Sequence, residues 1–426
     1  VSNNDNALTK TMKMSVSQFF ACCLLISVLN IDLAEAQHNI TCDVGKKTDI
    51  RYQVPNFLQK SYFEITTGYI SYPFSERQLE SGYSLHSLSV KHAAVRLVLF
   101  GYKFNDYLSA QITYMRPVLW VNYKYYKQPD YNKTFSKTVW ANVGGLTIKP
   151  TIPVGKNINL YGEAGLGIIT RNGFNDESGN TVVADANYAT FLFGGGVMYN
   201  LSKKTGIQIV ANYSPPEKRY DQPYTSYVGA GIQYRFQPIE EDKIEKSLLR
   251  DIKYPRQWIQ IGYTTNFAGY NINNFVAGLN IFWGGNSEIS RGTFITYQRN
   301  IFHSPKVFAL DWGANISVLQ TNKNREDFFA LSLFPVFRLN LLHTKPLDTY
   351  FYYIVAGPTY ISKTILDGEN TGKKFTFYDA MALGFFFGKK RSLNAELRIA
   401  HYSNGNIFPA NSGVKIPLTI NMGYSF

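Results

Sequence analysis

The chain has 426 residues, of which 45% are hydrophobic, 15% aromatic and 17% charged, with a formal net charge of +13. That length suits two domains, and plentiful aromatics with sparse charge argue against disorder. Only one N-terminal stretch approaches a continuous apolar run, which argues against a bundle of membrane helices, and three cysteines are too few for a disulfide scaffold.

The first element reads as an export signal. Lys10 and Lys13 precede the apolar stretch Val16–Leu33, and Ala34-Glu35-Ala36 offers small residues where a signal peptidase reads. Cleavage is expected before Gln37, giving a signal peptide over residues 1–36, with residues 1–11 as an extension upstream of Met12 or Met14. The competing reading is a retained membrane anchor. Cys22 and Cys23 leave with the signal, and Cys42 then stands alone. Cys22 is not a lipidation site, because the apolar stretch continues past it. The exported part keeps its strong positive charge, which favours an anionic envelope over nucleic acid as the partner surface.

Residues 37–60 read as a short periplasmic segment. Beyond them, alternating segments of about ten residues recur between polar breaks, the pattern of a transmembrane β-barrel. In the last of the first set, Val228, Ala230, Ile232, Tyr234 and Phe236 share one face, and Gly229, Gly231, Gln233 and Arg235 the other. Eight strands are expected, at about 61–72, 92–104, 108–122, 138–154, 158–171, 188–200, 205–214 and 226–236. Their connections alternate between long (73–91, 123–137, 172–187, 215–225) and short (105–107, 155–157, 201–204). Long loops on one side and tight turns on the other suit an outer-membrane barrel, with both chain ends on the periplasmic side. A soluble sandwich has no reason to sort its loops this way.

Residues 237–257 hold ten charged residues, are bracketed by Pro238 and Pro255, and read as a linker or short periplasmic helix. One barrel of about sixteen strands is the alternative. A second domain over 258–426 repeats the strand logic, with strands expected at 274–284, 291–302, 307–320, 328–342, 348–364, 373–388, 392–405 and 416–426. Residues 258–268 also look strand-like, but a ninth span would put the C-terminus outside the cell. They are therefore expected to extend the first strand or pack at the periplasmic rim. In the last strand Ile416, Leu418, Ile420, Met422, Tyr424 and Phe426 share the lipid face. The fold class is thus all-β: two tandem antiparallel eight-stranded transmembrane barrels.

One motif carries chemistry. In Leu393–Asn404, the odd positions Leu393, Ala395, Leu397 and Ile399 face lipid, and by the same period so do His401 and Ser403. Glu396 and Arg398 point inward, where they can pair. A polar pair on a lipid face marks function, and the strand's direction puts it at the external interface. His-x-Ser sets two side chains on one face, close enough for the imidazole to take the hydroxyl proton. Asn404 can supply a donor to a developing oxyanion. Most His-x-Ser triplets on strands are nevertheless incidental.

His401-Tyr402-Ser403-Asn404-Gly405, followed by Asn411-x-Gly413 and an apolar terminal strand, resembles the PagL family of outer-membrane lipid A 3-O-deacylases. Glu396-x-Arg398 and, more weakly, Pro335-Val336-Phe337 resemble it too. The resemblance covers about residues 270–426 and is specific near 396–413. It implies an eight-stranded barrel with His401 as base and Ser403 as nucleophile. Its substrate is the ester-linked 3-hydroxyacyl chain of lipid A, in lipopolysaccharide of the outer leaflet. Gly405 and Gly413 would let the substrate loop bend. The chain departs from the pattern at Lys415, where the family's proteobacterial members carry an acid, and no Asp or Glu occurs in 397–426. An orienting residue must then be Asn411, a backbone carbonyl, or an acid from elsewhere such as Asp367, Glu369 or Asp379.

The first domain resembles small barrels of the OmpA/OmpX type. Its residues do not choose among lipopolysaccharide binding, partner recruitment and support. Glu163 is expected to face the lumen in a salt bridge. No cluster has metal-ligand spacing and no Gly-rich loop suits a phosphate, so no metal or cofactor is expected. The terminal Phe426 resembles the insertion signal of outer-membrane barrels, which implies the barrel-insertion machinery as a partner. Two function classes stand: a serine esterase acting on lipid A, and a non-catalytic tandem barrel that binds lipid or partners. A diffusion pore is weaker, because eight strands enclose a space filled by side chains.

Overall fold

The computed structural model describes residues 49–117, 120–249, 252–278, 285–405, 407–408 and 410–426. The expected export signal and Cys42 lie outside the described residues.

Eight strands close the first ring: β1 (Ser61–Ser71), β2 (Ala93–Lys103), β3 (Leu108–Pro117), β4 (Asp130–Pro153), β5 (Ile158–Asn172), β6 (Ala186–Asn200), β7 (Thr205–Ser214) and β8 (Thr225–Arg235). Each pairs antiparallel with its sequence neighbours, β1 pairs with β8, and β4 with β5 completes the circuit. Alternation decides what each face meets. Leu99, Ile148, Phe191, Ile209 and Val228 lie exposed on the outside, where hydrocarbon solvates them. The lumen instead holds paired charges. Arg96 meets Glu163 at 2.6 Å, and Lys149 meets Glu64 at 2.6 Å. A charge in that closed interior needs such a partner, since desolvation otherwise costs several kcal/mol per ion, roughly.

Two of the long connections are more ordered than their polar composition predicts. Strands Tyr83–Ser89 and Val121–Lys127 add to the outer half of β4 as a sheet beyond the ring. β4 therefore runs for 24 residues, much longer than a membrane span needs. Between the rings, Glu241–Leu248 forms a helix that buries Ile244 and Ser247.

The second ring is a separate closed barrel: β9 (Gln257–Thr265), β10 (Ser287–His303), β11 (Phe308–Thr321), β12 (Asp327–His343), β13 (Leu347–Ile361), β14 (Phe375–Phe387), β15 (Leu393–Ser403) and β16 (Val414–Ser425). Its first strand corrects the sequence reading. Residues 257–265 are not a rim segment: they pair with β10 on one side and β16 on the other. Where the strand expected over 274–284 should begin, residues Asn271–Gly278 form a helix; residues 279–284 of that expectation lie outside the described residues. The physical reason is composition, because Asn271, Asn273 and Asn274 suit caps and turns and are poor in strands. The strand count stays eight and both ends of the ring stay on one side.

A second correction concerns β16. Across β15, Arg398 faces Thr419 but Ala400 faces Ile416, so two residues, Pro417 and Leu418, oppose one. This β-bulge reverses the facing of everything before it. Ile416, expected on the lipid face, is fully buried with Ala400 and Tyr402 in the barrel core. Lys415 is turned outward instead.

Candidate active site

His401 and Ser403 lie on the outer face of β15, near its exit from the ring. Tyr402, between them, points into the lumen and meets the Ser317 hydroxyl at 3.0 Å. Four residues above the periplasmic turn, Glu396 also points inward, and Arg398 Nη2 approaches it at 2.6 Å while Tyr350 and Tyr352 donate their hydroxyls. That buried network fixes the facing of β15, so the polar pair outside is held by the packing inside.

His401 Nε2 stands 3.3 Å from Ser403 Oγ. The same nitrogen stands 3.4 Å from Asp379 Oδ2. Asp379 is the cross-strand partner of His401 on β14. A second bulge places it: residues 355 and 356 of β13 together oppose Asp379, between the pairs of Ile354 and Gly357. Ala356 adopts a φ of 52° there, and its N–H donates to Asp379 Oδ1 at 2.5 Å. His401 is fully buried and Asp379 is 5% exposed, although both face outward. Ser403 is only half-buried and reaches the open groove beside the barrel.

Lys415 lies directly across from His401 on β16. Its Nζ approaches Glu288 Oε1 at 3.2 Å and Asn274 Oδ1 at 3.1 Å. Glu288 is the register partner of Lys415 on β10, reached because β9 ends below this level. Four outward residues thus form a row over four strands: Asp379, His401, Lys415, Glu288. Sequence reasoning named Asp379 only as one of three acids and missed Glu288 altogether. The other two acids serve loops. Burial works to raise the Asp367 carboxyl, but the Asn324 N–H, the Thr321 hydroxyl and the Lys323 N–H hold it below the ordinary range. Glu369 accepts from the Ser412 hydroxyl at 2.8 Å.

The two asparagines, expected as oxyanion donor and orienting residue, both take part in the loop after β15. Asn404 donates its carboxamide hydrogens to the Thr371 and Ala410 carbonyls, at 3.2 and 2.6 Å, and its backbone N–H to Asn411 Oδ1 at 2.8 Å. As folded, Asn404 closes the loop after β15, with its side-chain donors on those two carbonyls, and the Asn411 oxygen accepts within the same loop. Gly405 and Gly413 have φ of +62° and +68°, the left-handed region in which a Cβ is strained. Both bends of the loop therefore need glycine. Among the described residues no group of His, Cys, Asp and Glu is arranged to hold a metal ion.

Residues 291–425 match the family model described as lipid A 3-O-deacylase (PagL). Residues 76–240 match the OmpA-like transmembrane domain. Among solved structures the chain is similar to the outer membrane enzyme PagL, at 14% identity over 39% of this chain and 97% of that one, with a TM-score of 0.28. It is similar to Neisserial surface protein A at 15% identity, over 42% and 97%, with a TM-score of 0.27. Ail of Yersinia pestis, crystallised with the heparin analogue sucrose octasulfate, follows at 18% identity over 41% and 99%, with a TM-score of 0.27. No curated protein matches the chain. The chain is a protein of the bacterial outer membrane that carries an OmpA-like transmembrane domain, residues 76–240, ahead of a PagL domain, residues 291–425.

Proposed function

We propose that the second barrel is a serine esterase that removes an ester-linked 3-hydroxyacyl chain from lipid A. The observation that carries this reading is the approach of His401 Nε2 to Ser403 Oγ at 3.3 Å on the lipid side of the barrel, with Asp379 against the same nitrogen. Ser403 Oγ attacks the acyl carbonyl, and Nε2 takes its proton. The N–H so formed lies beside the Asp379 carboxylate, which stabilises the imidazolium. The tetrahedral intermediate collapses, the bond from acyl carbon to sugar oxygen breaks, and His401 returns the proton to that oxygen. Water, deprotonated by the same nitrogen, then releases the hydroxy fatty acid from Ser403. Asp379 here takes the place of the acid absent at position 415. It differs from the acid of a Ser-His-Asp triad, which bonds the ring nitrogen remote from the serine. An oxyanion role for Asn404 requires its loop to exchange partners when substrate enters.

The test is mass spectrometry of lipid A from a host without such an activity, expressing the chain or Ser403→Ala in its outer membrane. Loss of one hydroxyacyl mass with the parent chain alone is the expected result. Unchanged lipid A with both proteins folded in the membrane would overturn the esterase and favour a lipid-binding tandem barrel.

A further inference from the structure

Contacts link the two domains at both ends and leave a gap between the barrel walls. At the periplasmic end the segment before β1 packs on the second barrel: Val54 and Leu58 cluster with Phe302 and Leu310, and Arg51 donates to the Tyr254 and Pro255 carbonyls just before β9. At the outer end the loop after β15 leans on the first barrel. Tyr114 donates its hydroxyl to the Gly405 carbonyl at 3.3 Å, and Thr170 and Asn187 both donate to the Ile407 carbonyl. Between these contacts runs a groove of 2250 Å³. Leu97, Ile112 and Leu146 line one wall, and Phe337, Val355 and Phe377 the other.

Three features say what fills it. It lies at membrane depth between two lipid-facing surfaces and its walls are apolar, so hydrocarbon is its natural occupant. Ser403 and Asp379 open into it. Its outer end carries Arg116, whose guanidinium lies 5.7 Å over the Trp120 ring. Arg116 follows Ile112 and Tyr114 on the outward face of β3, where an arginine is tolerated only near the headgroups. A guanidinium there suits a phosphate.

We propose that the inter-barrel groove is a lipid site built by both domains, taking the acyl chains of a phosphorylated outer-leaflet glycolipid, with Arg116 on its phosphate. Resting on the esterase reading, this makes the first barrel the second wall of the substrate channel and the support of the loop beside Ser403. A lone second barrel would offer its serine to an open bilayer. In the tandem chain, the lipid must enter the slot between the domains.

The test uses the full chain carrying Ser403→Ala, in bilayer vesicles that contain lipid A with a diazirine on its 3-O-linked chain. Photolysis, digestion and mass spectrometry locate the label. The expected result is at least fivefold more label at Leu97, Ile112 and Leu146 than at Val197, Ile209 and Val228, which are lipid-exposed on β6 to β8. Arg116→Gln should lower groove labelling by lipid A about threefold and leave labelling by a diazirine phosphatidylcholine unchanged. Leu146→Trp, which narrows the slot from an apolar surface position, should lower both. Label spread evenly over all lipid-facing strands would overturn the proposal, as would equal sensitivity of both lipids to Arg116→Gln. Groove labelling in a protein whose parent chain never deacylates lipid A would leave the site standing and remove the esterase. Deacylation with even labelling would do the reverse.

Discussion

Asp379→Asn isolates the part of the site that replaces the expected acid. The substitution keeps the shape, and its carboxamide oxygen still accepts the Ala356 N–H that Oδ1 takes at 2.5 Å. The bulge at residues 355 and 356 therefore stays, and the change is one of charge. At the 3.4 Å separation from Nε2, a carboxylate and an imidazolium attract by roughly 5 kcal/mol at an effective dielectric of about 20. Converted at about 1.4 kcal/mol per decade, that sets a ceiling of between three and four orders of magnitude in rate. Headgroup water near the interface screens part of it, so a fall of about 10²–10³ in kcat is expected. KM should move by less than threefold, because the charge on His401 exists only after proton transfer. The assay is initial-rate release of 3-hydroxy fatty acid from lipid A in mixed micelles, with unfolding by heat on gels as the folding control. A loss below tenfold in kcat with normal unfolding would refute the reasoning, and so would a loss confined to KM.

Lys415→Glu restores an acid at the position where the family's pattern has one, yet here it would break the Glu288 contact and set two carboxylates side by side. Activity should not rise, and thermal unfolding should fall by a few degrees, corresponding to about 1 kcal/mol. Gly413→Ala forces a side chain into φ of +68° and should cost about 1 kcal/mol in unfolding free energy, read by urea titration in detergent, while slowing fatty-acid release. Asn404→Ala removes the donors that hold Thr371 and Ala410. It should open the loop to protease and lower kcat/KM by about tenfold or more. Outside the membrane, the Lys127 ammonium beside Asp176, together with the Asn180 N–H and the Tyr83 hydroxyl, holds its carboxyl well below the ordinary carboxylate range. A depressed pKa stabilises the folded form above the ordinary value and loses that contribution as pH falls toward the folded one. Asp176→Asn should therefore expose Lys127 to trypsin at neutral pH, whereas the parent chain should resist down to about pH 4 in an acid-tolerant protease assay.

The strands were legible wherever one face meets lipid and the other a packed lumen, because that contrast writes a period of two into the residues. Val228 to Phe236 is such a case. Legibility ended where a face changes its surroundings. Residues 257–265 alternate as well as any strand, but a strand expected to start at 274, where the chain is helical, left no place for them. The asparagines of the Asn271–Gly278 helix were the available signal against that span. The bulge at Pro417 and Leu418 has one sequence signal, Pro417, because a proline lacks the N–H a paired strand needs and sits at edges or bulges. Glu288 was invisible because its importance comes from a register pairing with Lys415 127 positions away in sequence. His401 and Ser403, by contrast, could be read directly, as polar residues breaking an otherwise apolar face.

That break raises the question of how a barrel tolerates four ionisable groups on its outer wall. Spaced singly along a lipid face, each would pay its own desolvation. Here two bulges bring them to one height on adjacent strands, so that Asp379 meets His401 and Lys415 meets Glu288. The row lies near the headgroups, where the cost of charge is lowest. The bulges are thus not local irregularities of a passive barrel. At residues 355 and 356 the extra residue supplies the N–H that holds Asp379, and at 417 and 418 it turns Lys415 out and Ile416 in. Without the second bulge, Lys415 would enter a core packed with Ala400 and Tyr402, and His401 would lose its cross-strand neighbour. The same strand geometry that closes the barrel therefore also assembles the polar row, and removing either bulge should cost the site before it costs the fold.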